Sequence, residues 1–144
     1  GSAVALCLAR AQIDALVEHA QAALPEECCG LLGGRAGAVE RVYRVRNAES
    51  PERRPVAYRL DAQEQYVVTR ELERDGLELV GVYHSHPHSP AYPSETDRRM
   101  AAEAGLHLFD GLHHVIVSLQ EDAPRVRAFR LQADVVEEVE VMVE

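Results

Sequence analysis

The sequence predicts an α+β domain, a mixed β-sheet flanked by helices. Stretches with apolar residues at helical spacing are set among short apolar or alternating runs. The two kinds do not take turns in the regular way that βαβ units require. A length of 144 residues suits one domain with a real core, expected over residues 3–144. Gly1-Ser2 resembles the scar of a cleaved tag.

Taken in order, Ile13, Leu16, Val17, Ala20 and Leu24 repeat at helical spacing, and Pro25 punctuates the end, so residues 10–24 are expected as an amphipathic helix. CCGLLGG (Cys28 to Gly34) is an apolar run with glycines, and VERVYRVRN (Val39 to Asn47) alternates. These read as two strands joined by a turn around Arg35 to Gly37. Pro51, Pro55 and several charges mark Ala48 to Pro55 as a loop, followed by a short strand near Ala57 to Leu60. Asp61 is expected to cap a helix through Asp75, with Glu64 at its third position and Gly76 to stop it. Leu77 to His84 reads as a buried strand, Thr96 to Ala104 as a short helix and His113 to Leu119 as another strand. Beyond Pro124, Val126 to Leu131 and Val135 to Val143 are strand-like. In the acidic tail from Asp134 to Glu144, valines alternate with glutamates as in an edge strand with one wet face.

Composition narrows the function. With 24 acidic and 15 basic residues the formal charge is −9, which argues against nucleic acid as a partner, because that affinity comes largely from cationic side chains. No uncharged apolar run approaches the roughly 18 residues that suggest a membrane helix, and no secretory signal pattern opens the chain. Three cysteines, two of them adjacent, do not suggest a disulfide framework. Reduced thiols and a cytoplasmic location are expected. All fifteen basic residues are arginines, so the protein offers no lysine amine for conjugation.

The stretch VGVYHSHPHSPAYPSETD (Val80 to Asp97) carries the chemistry. Side chains two apart on a strand project to the same side, so His84 and His86 can offer two imidazoles to one point. Pro87, Pro90 and Pro93 restrict the loop that follows. Ser94 suits a helix cap, and Asp97 in the first turn can reach back to the histidines. Two nitrogens and one carboxylate oxygen leave a fourth tetrahedral position for water, as in catalytic zinc sites. Such a site implies hydrolysis, with a carboxylate from elsewhere in the chain as the base.

PEECCGLLGG (Pro25 to Gly34) together with HSHP and SETD resembles the JAMM (MPN+) zinc metallopeptidase family, whose pattern is a glutamate ahead of a Cys-Gly-apolar strand, then HxHP, then SxxD. The resemblance implies a single-domain JAB/MPN-like fold with the layering of cytidine deaminases. It implies one Zn2+ per chain with a metal-bound water, held by His84, His86 and Asp97. It makes Glu27 the acid/base and Ser94 the donor to the developing oxyanion. Glu26 competes with Glu27, but the family's glutamate stands two residues before the Cys-Gly pair, here Cys29-Gly30, and neighbours on a strand point to opposite faces. Compact bacterial members imply a ubiquitin-like or sulfur-carrier protein as substrate, cut after a Gly-Gly-type tail. A lysine-isopeptide deconjugase and a non-catalytic MPN-type scaffold are the alternatives. A zinc nucleobase deaminase is set aside, since it requires HxE and PCxxC. His88 is expected to be exposed and Cys29 to pack in the core. His107, His113 and His114 lack the carboxylate or cysteine company of a second metal site.

Overall fold

The computed structural model describes residues 5–103, 111–132 and 135–144. In chain order the elements are β1 (Leu6–Leu8), α1 (Arg10–Ala23), β2 (Cys29–Arg35), β3 (Ala38–Val45), α2 (Ala62–Arg74), β4 (Glu78–His86), α3 (Glu95–Glu103), β5 (His113–Ser118), β6 (Arg125–Gln132), β7 (Val135–Val139) and β8 (Val141–Val143).

Local chemistry explains the helices and the first hairpin. Ile13, Leu16 and Ala20 form the buried stripe of α1. Gln12 accepts the Ala9 N–H at 2.8 Å and donates to the Val39 carbonyl at 2.9 Å, pinning the start of the helix to β3. Asp61 caps α2 as expected, accepting the Glu64 N–H at 3.0 Å. Val68 and Leu72 are the buried side of that helix. Between β2 and β3 the chain turns through Ala36 and Gly37, both at positive φ (49° and 81°). A two-residue turn of this hand follows the strand twist, and glycine enters it without a Cβ penalty.

The strands form one sheet in the order β7-β6-β5-β4-β2-β3-β1-β8. β4 and β5 run parallel, as do β1 and both of its neighbours, and the remaining pairs are antiparallel. The mixed sheet with flanking helices is the fold class expected. β7 and β8 stand at opposite ends of the order yet are separated in the chain by Glu140 alone. The sheet is therefore curled until its two ends meet, and the Glu140 carbonyl accepts the Leu6 N–H at 2.9 Å.

Three expectations are corrected. The tail 135–143 is not one edge strand: its halves pair with β6 and β1, and Val139 and Val141 both pack into the core beside α1. Residues 57–60 form no strand, only a single bridge from Leu60 to Asn47. The Asn47 side chain, not a neighbouring strand, bonds the Ala57 carbonyl and the Arg59 N–H. β1 is an additional strand, and at three residues it is too short to carry a periodic signal. Elsewhere the boundaries agree to within two residues, except that Ala104, the expected end of α3, lies outside the described residues.

The core lies on both faces. On one, α1 covers Leu6, Leu8, Cys28, Leu32, Val115 and Val117. On the other, α2 and α3 cover Cys29, Leu31, Val82 and Leu112, with Tyr58 from the loop after β3. A register shift opposite Leu32/Gly33 makes Val80 an extra residue in β4. Val80 packs on the α1 side, whereas Val82, two residues on, packs on the α2 side. The bulge thereby sets which face the rest of β4 presents.

Gly30 admits a close approach in this sheet. A Cβ there would overlap the Tyr83 ring and the Tyr43 carbonyl. Tyr83 lies across that glycine, fully buried, and its hydroxyl is hydrogen-bonded to His19 Nδ1 at 2.7 Å. Burial and the nearby Arg44 charge push the His19 pKa down to about 4, which keeps the ring neutral. Gly30→Ala is expected to destabilise the protein by about 1–3 kcal/mol, the usual cost of overpacking. Chemical denaturation should show a lowered midpoint with an unchanged slope.

Candidate metal centre

β4 ends at the site. In its pleat Val82, His84 and His86 share the face toward α2 and α3, and Cys29 of β2 lies opposite His84 in the ladder. The His84 ring stacks on Tyr58, with centroids 4.3 Å apart and 21° between the planes. His86 Nδ1 lies 2.7 Å from the Pro90 carbonyl. With Nδ1 donating to that oxygen, a neutral ring would offer the Nε2 lone pair to a metal, the usual way a second bond sets the tautomer of a ligating histidine.

Asp97 reaches the same point from the first turn of α3. Its Oδ2 is 3.1 Å from His84 Nε2 and 2.9 Å from His86 Nε2, and the two Nε2 atoms are 3.1 Å apart. Ser94 and Asp97 hold each other across the helix start. The Asp97 N–H donates to Ser94 Oγ and the Ser94 N–H to Asp97 Oδ2, both at 3.0 Å. All three converging residues are buried, whereas Ser94 is exposed.

Glu27 precedes β2 and is buried too, with Oε1 free of any hydrogen bond. Burial and the neighbouring Asp97 charge push its pKa up to about 8, with His86 acting in the other direction. Burial alone would raise the Asp97 pKa as well, but the His84 charge and hydrogen bonds from both imidazoles and the Ser94 amide hold it well below the usual carboxylate range. Burial acts to lower the His86 pKa, yet the hydrogen bond and charge of Asp97 leave it raised. Glu26 instead faces Arg54 at 3.6 Å, partly exposed.

A divalent cation suits these residues. Three lone-pair atoms from borderline and hard donors meet at separations near the roughly 3.3 Å edge of a tetrahedron with bonds of about 2 Å. They form the one group of potential ligands gathered this closely among the described residues. The orphaned Glu27 Oε1 beside them adds a place for a hydrogen-bonding partner. His113 and His114 are buried in β5, His88 is exposed, and His107 lies outside the described residues. Burial raises both the Cys28 thiol, to about 11, and the Cys29 thiol, so neither is poised to react at neutral pH.

Residues 9–132 match the family described as prokaryotic homologs of the JAB domain. The chain belongs to this family. It is 35% identical over 132 residues to the CysO-cysteine peptidase of Mycobacterium tuberculosis, covering 91% of this chain and 86% of that one. It is 38% identical over 106 residues to the desampylase of Haloferax volcanii, covering 69% and 75% of the two chains. Among solved structures, a protein from Desulfitobacterium hafniense superposes with a TM-score of 0.82 at 35% identity, covering 96% of this chain and 92% of that one. A JAB1/MPN domain protein from Archaeoglobus fulgidus shares the fold, with a TM-score of 0.59 at 21% identity over the whole of both chains. The named relatives are peptidases and deconjugating enzymes, and the JAB/MPN fold is the one expected.

Two contacts in the centre escaped the sequence reading. One is the Tyr58 ring on His84. The other is Ser85, which lies between the two histidines and faces away from them: its Oγ accepts the Cys28 N–H at 2.8 Å and its own N–H donates to the Cys28 carbonyl at 3.1 Å. Both are long-range contacts without a local pattern. The position of Ser85 inside HSH was the available signal for the second.

The Glu27 environment predicts a pH effect in metal-free protein. Its folded-state pKa lies above the ordinary value of 4.5. The stability it contributes is therefore present below pH 4.5 and is lost as pH rises through about 8. Glu27→Gln removes the ionisation, so chelator-treated variant and wild type should have similar urea midpoints near pH 4. At pH 9 the variant should be the more stable.

Proposed function

We propose that the protein is a zinc metallopeptidase that hydrolyses a peptide or isopeptide bond after the Gly-Gly-type C-terminal tail of a ubiquitin-like or sulfur-carrier protein. The observation that carries this reading is the convergence of His84 Nε2, His86 Nε2 and Asp97 Oδ2 beside the buried, unpartnered Glu27. The curated relatives support the substrate class. They include the CysO-cysteine peptidase, the desampylase and a probable TtuB-protein conjugate cleaving protease of Thermus thermophilus, the last 37% identical over 97 residues, covering 67% of this chain and 63% of that one.

His84, His86 and Asp97 would hold one zinc ion. Bound there, zinc supplies a Lewis acid that brings the pKa of a water toward neutrality and polarises the scissile carbonyl. Glu27 accepts the proton of the attacking water and returns it to the leaving amine. Ser94 Oγ accepts the Asp97 N–H and keeps its own proton to donate to the carbonyl oxygen as negative charge develops. All fifteen basic residues of this sequence are arginines, so it offers no lysine amine to its own activity. The three unpaired cysteines support a reducing, cytoplasmic setting.

The test uses a Gly-Gly-tailed carrier joined through its terminal carboxyl to an amine. Glu27→Gln should lower kcat by about 10²–10⁴-fold, the range of general acid–base catalysis. Ser94→Ala should lower it by about 10²–10³-fold, as for loss of an oxyanion donor, with little change in KM. His86→Ala should purify without stoichiometric zinc by elemental analysis. Zinc-loaded protein that leaves the adduct intact would instead favour the non-catalytic scaffold.

A further inference from the structure

The loop between β3 and α2 is tied down by one side chain. Asn47 Nδ2 donates to the Glu27 carbonyl at 3.0 Å and to the Ala57 carbonyl at 3.1 Å. Its Oδ1 accepts the N–H groups of Glu49 at 3.0 Å and of Arg59 at 3.1 Å. These four bonds use both donor hydrogens and both lone pairs of the amide, so Asn47 joins the start of the loop, its return limb and Glu27.

Glu27 depends on that junction because no ladder holds it. β2 begins at Cys29, and both backbone polar groups of Glu27 go to the loop: its N–H donates to the Arg54 carbonyl at 2.8 Å, and its C=O accepts from Asn47. The other side-chain contacts of the loop leave Glu27 out: the Arg54 guanidinium lies 3.6 Å from Glu26, and the Arg46 N–H donates to Glu64 at 3.1 Å. The buried Glu49 carboxylate lies 3.4 Å from Arg53 and 3.7 Å from Arg59, and Arg54 Nε donates to the Glu49 carbonyl at 2.9 Å. None of these includes Glu27.

We propose that Asn47 is a positioning residue for Glu27, fixing where its carboxylate stands relative to the His84, His86 and Asp97 cluster. The proposal rests on the reading of Glu27 as the acid/base. Asparagine is required because the position must donate to two carbonyls and accept from two amides. Aspartate keeps the acceptor half but turns a carboxylate oxygen toward the carbonyls of Glu27 and Ala57, where nothing can donate.

The test compares zinc-loaded wild type, Asn47→Ala, Asn47→Asp and Glu49→Gln. The substrate is a ubiquitin-like carrier whose Gly-Gly carboxyl is joined to 7-amino-4-methylcoumarin. Zinc affinity is measured by competition with a chelating dye, and amide hydrogen exchange is followed at Glu27. Both Asn47 variants should lose about 10–100-fold in kcat, the scale of a misplacement near 1 Å. Their KM and zinc affinity should stay within about threefold of wild type, because the ligands stand on β4 and α3. The Glu27 amide should be protected in the wild type and exchange at least about tenfold faster in the variants, while Glu49→Gln retains its kcat. Should Asn47→Ala fail to fold, Asn47→Asp decides, since it keeps the size and two of the four bonds. The proposal is overturned by Asn47 variants with kcat within threefold of wild type, by kcat lost in step with zinc, by an equal loss in Glu49→Gln, or by an unprotected wild-type Glu27 amide. An active Glu27→Gln would instead overturn the acid/base reading itself.

Discussion

Two imidazole nitrogens and a carboxylate oxygen, mutually within 3.1 Å on buried residues, impose the hardest requirement in this molecule. Each atom brings a lone pair to one point in a medium that shields charge poorly. The surroundings meet that requirement piece by piece. The pleat of β4 aims both rings the same way, the Pro90 carbonyl orients one and the Tyr58 face supports the other. The first turn of α3 then brings in Asp97, whose charge is favoured by the free amides of a helix start. In the metal-free protein Glu27 feels the same crowding, and burial and the Asp97 charge push its pKa up.

The two faces of β4 divide the labour. Toward α2 and α3 stand the groups with chemistry, His84 and His86. Toward α1 stand Tyr83 and Ser85, which grip β2: Tyr83 lies over Gly30, and Ser85 exchanges hydrogen bonds with Cys28, next to Glu27. The extra residue at Val80 makes this assignment possible, because it shifts the alternation of everything downstream by one position. A regular strand from Glu78 onward would have turned the histidines toward α1.

Much of this was legible in the sequence because it is local. The interval of two between His84 and His86 is a strand property, and Ser94 three residues before Asp97 is a helix-start property. The helices 10–24 and 61–75 announced themselves through apolar spacing, Pro25 and Asp61. The closeness of the two histidines to Glu27 came from a family pattern, since no local rule joins positions nearly sixty residues apart. What stayed hidden were contacts between segments distant in the chain and without periodicity: Tyr58 on His84, the Asn47 amide, and the pairing of Leu6–Leu8 with the tail. Val139, Val141 and Val143 alternate with Glu138 and Glu140 straight across the break, so the division at Glu140 between two partners was invisible until β6 and β1 were seen on either side.

The curled sheet has a bearing on how the protein comes into being. Residues 6–8 are translated before every other strand of the sheet, yet their partner strand, 141–143, is translated after all of them. Until 141–143 has emerged, β1 has a raw margin open to pairing with strangers. The hydrolase therefore joins β1 to β8 by the pairing of longest sequence separation in its sheet, a step that polypeptide topology makes slow.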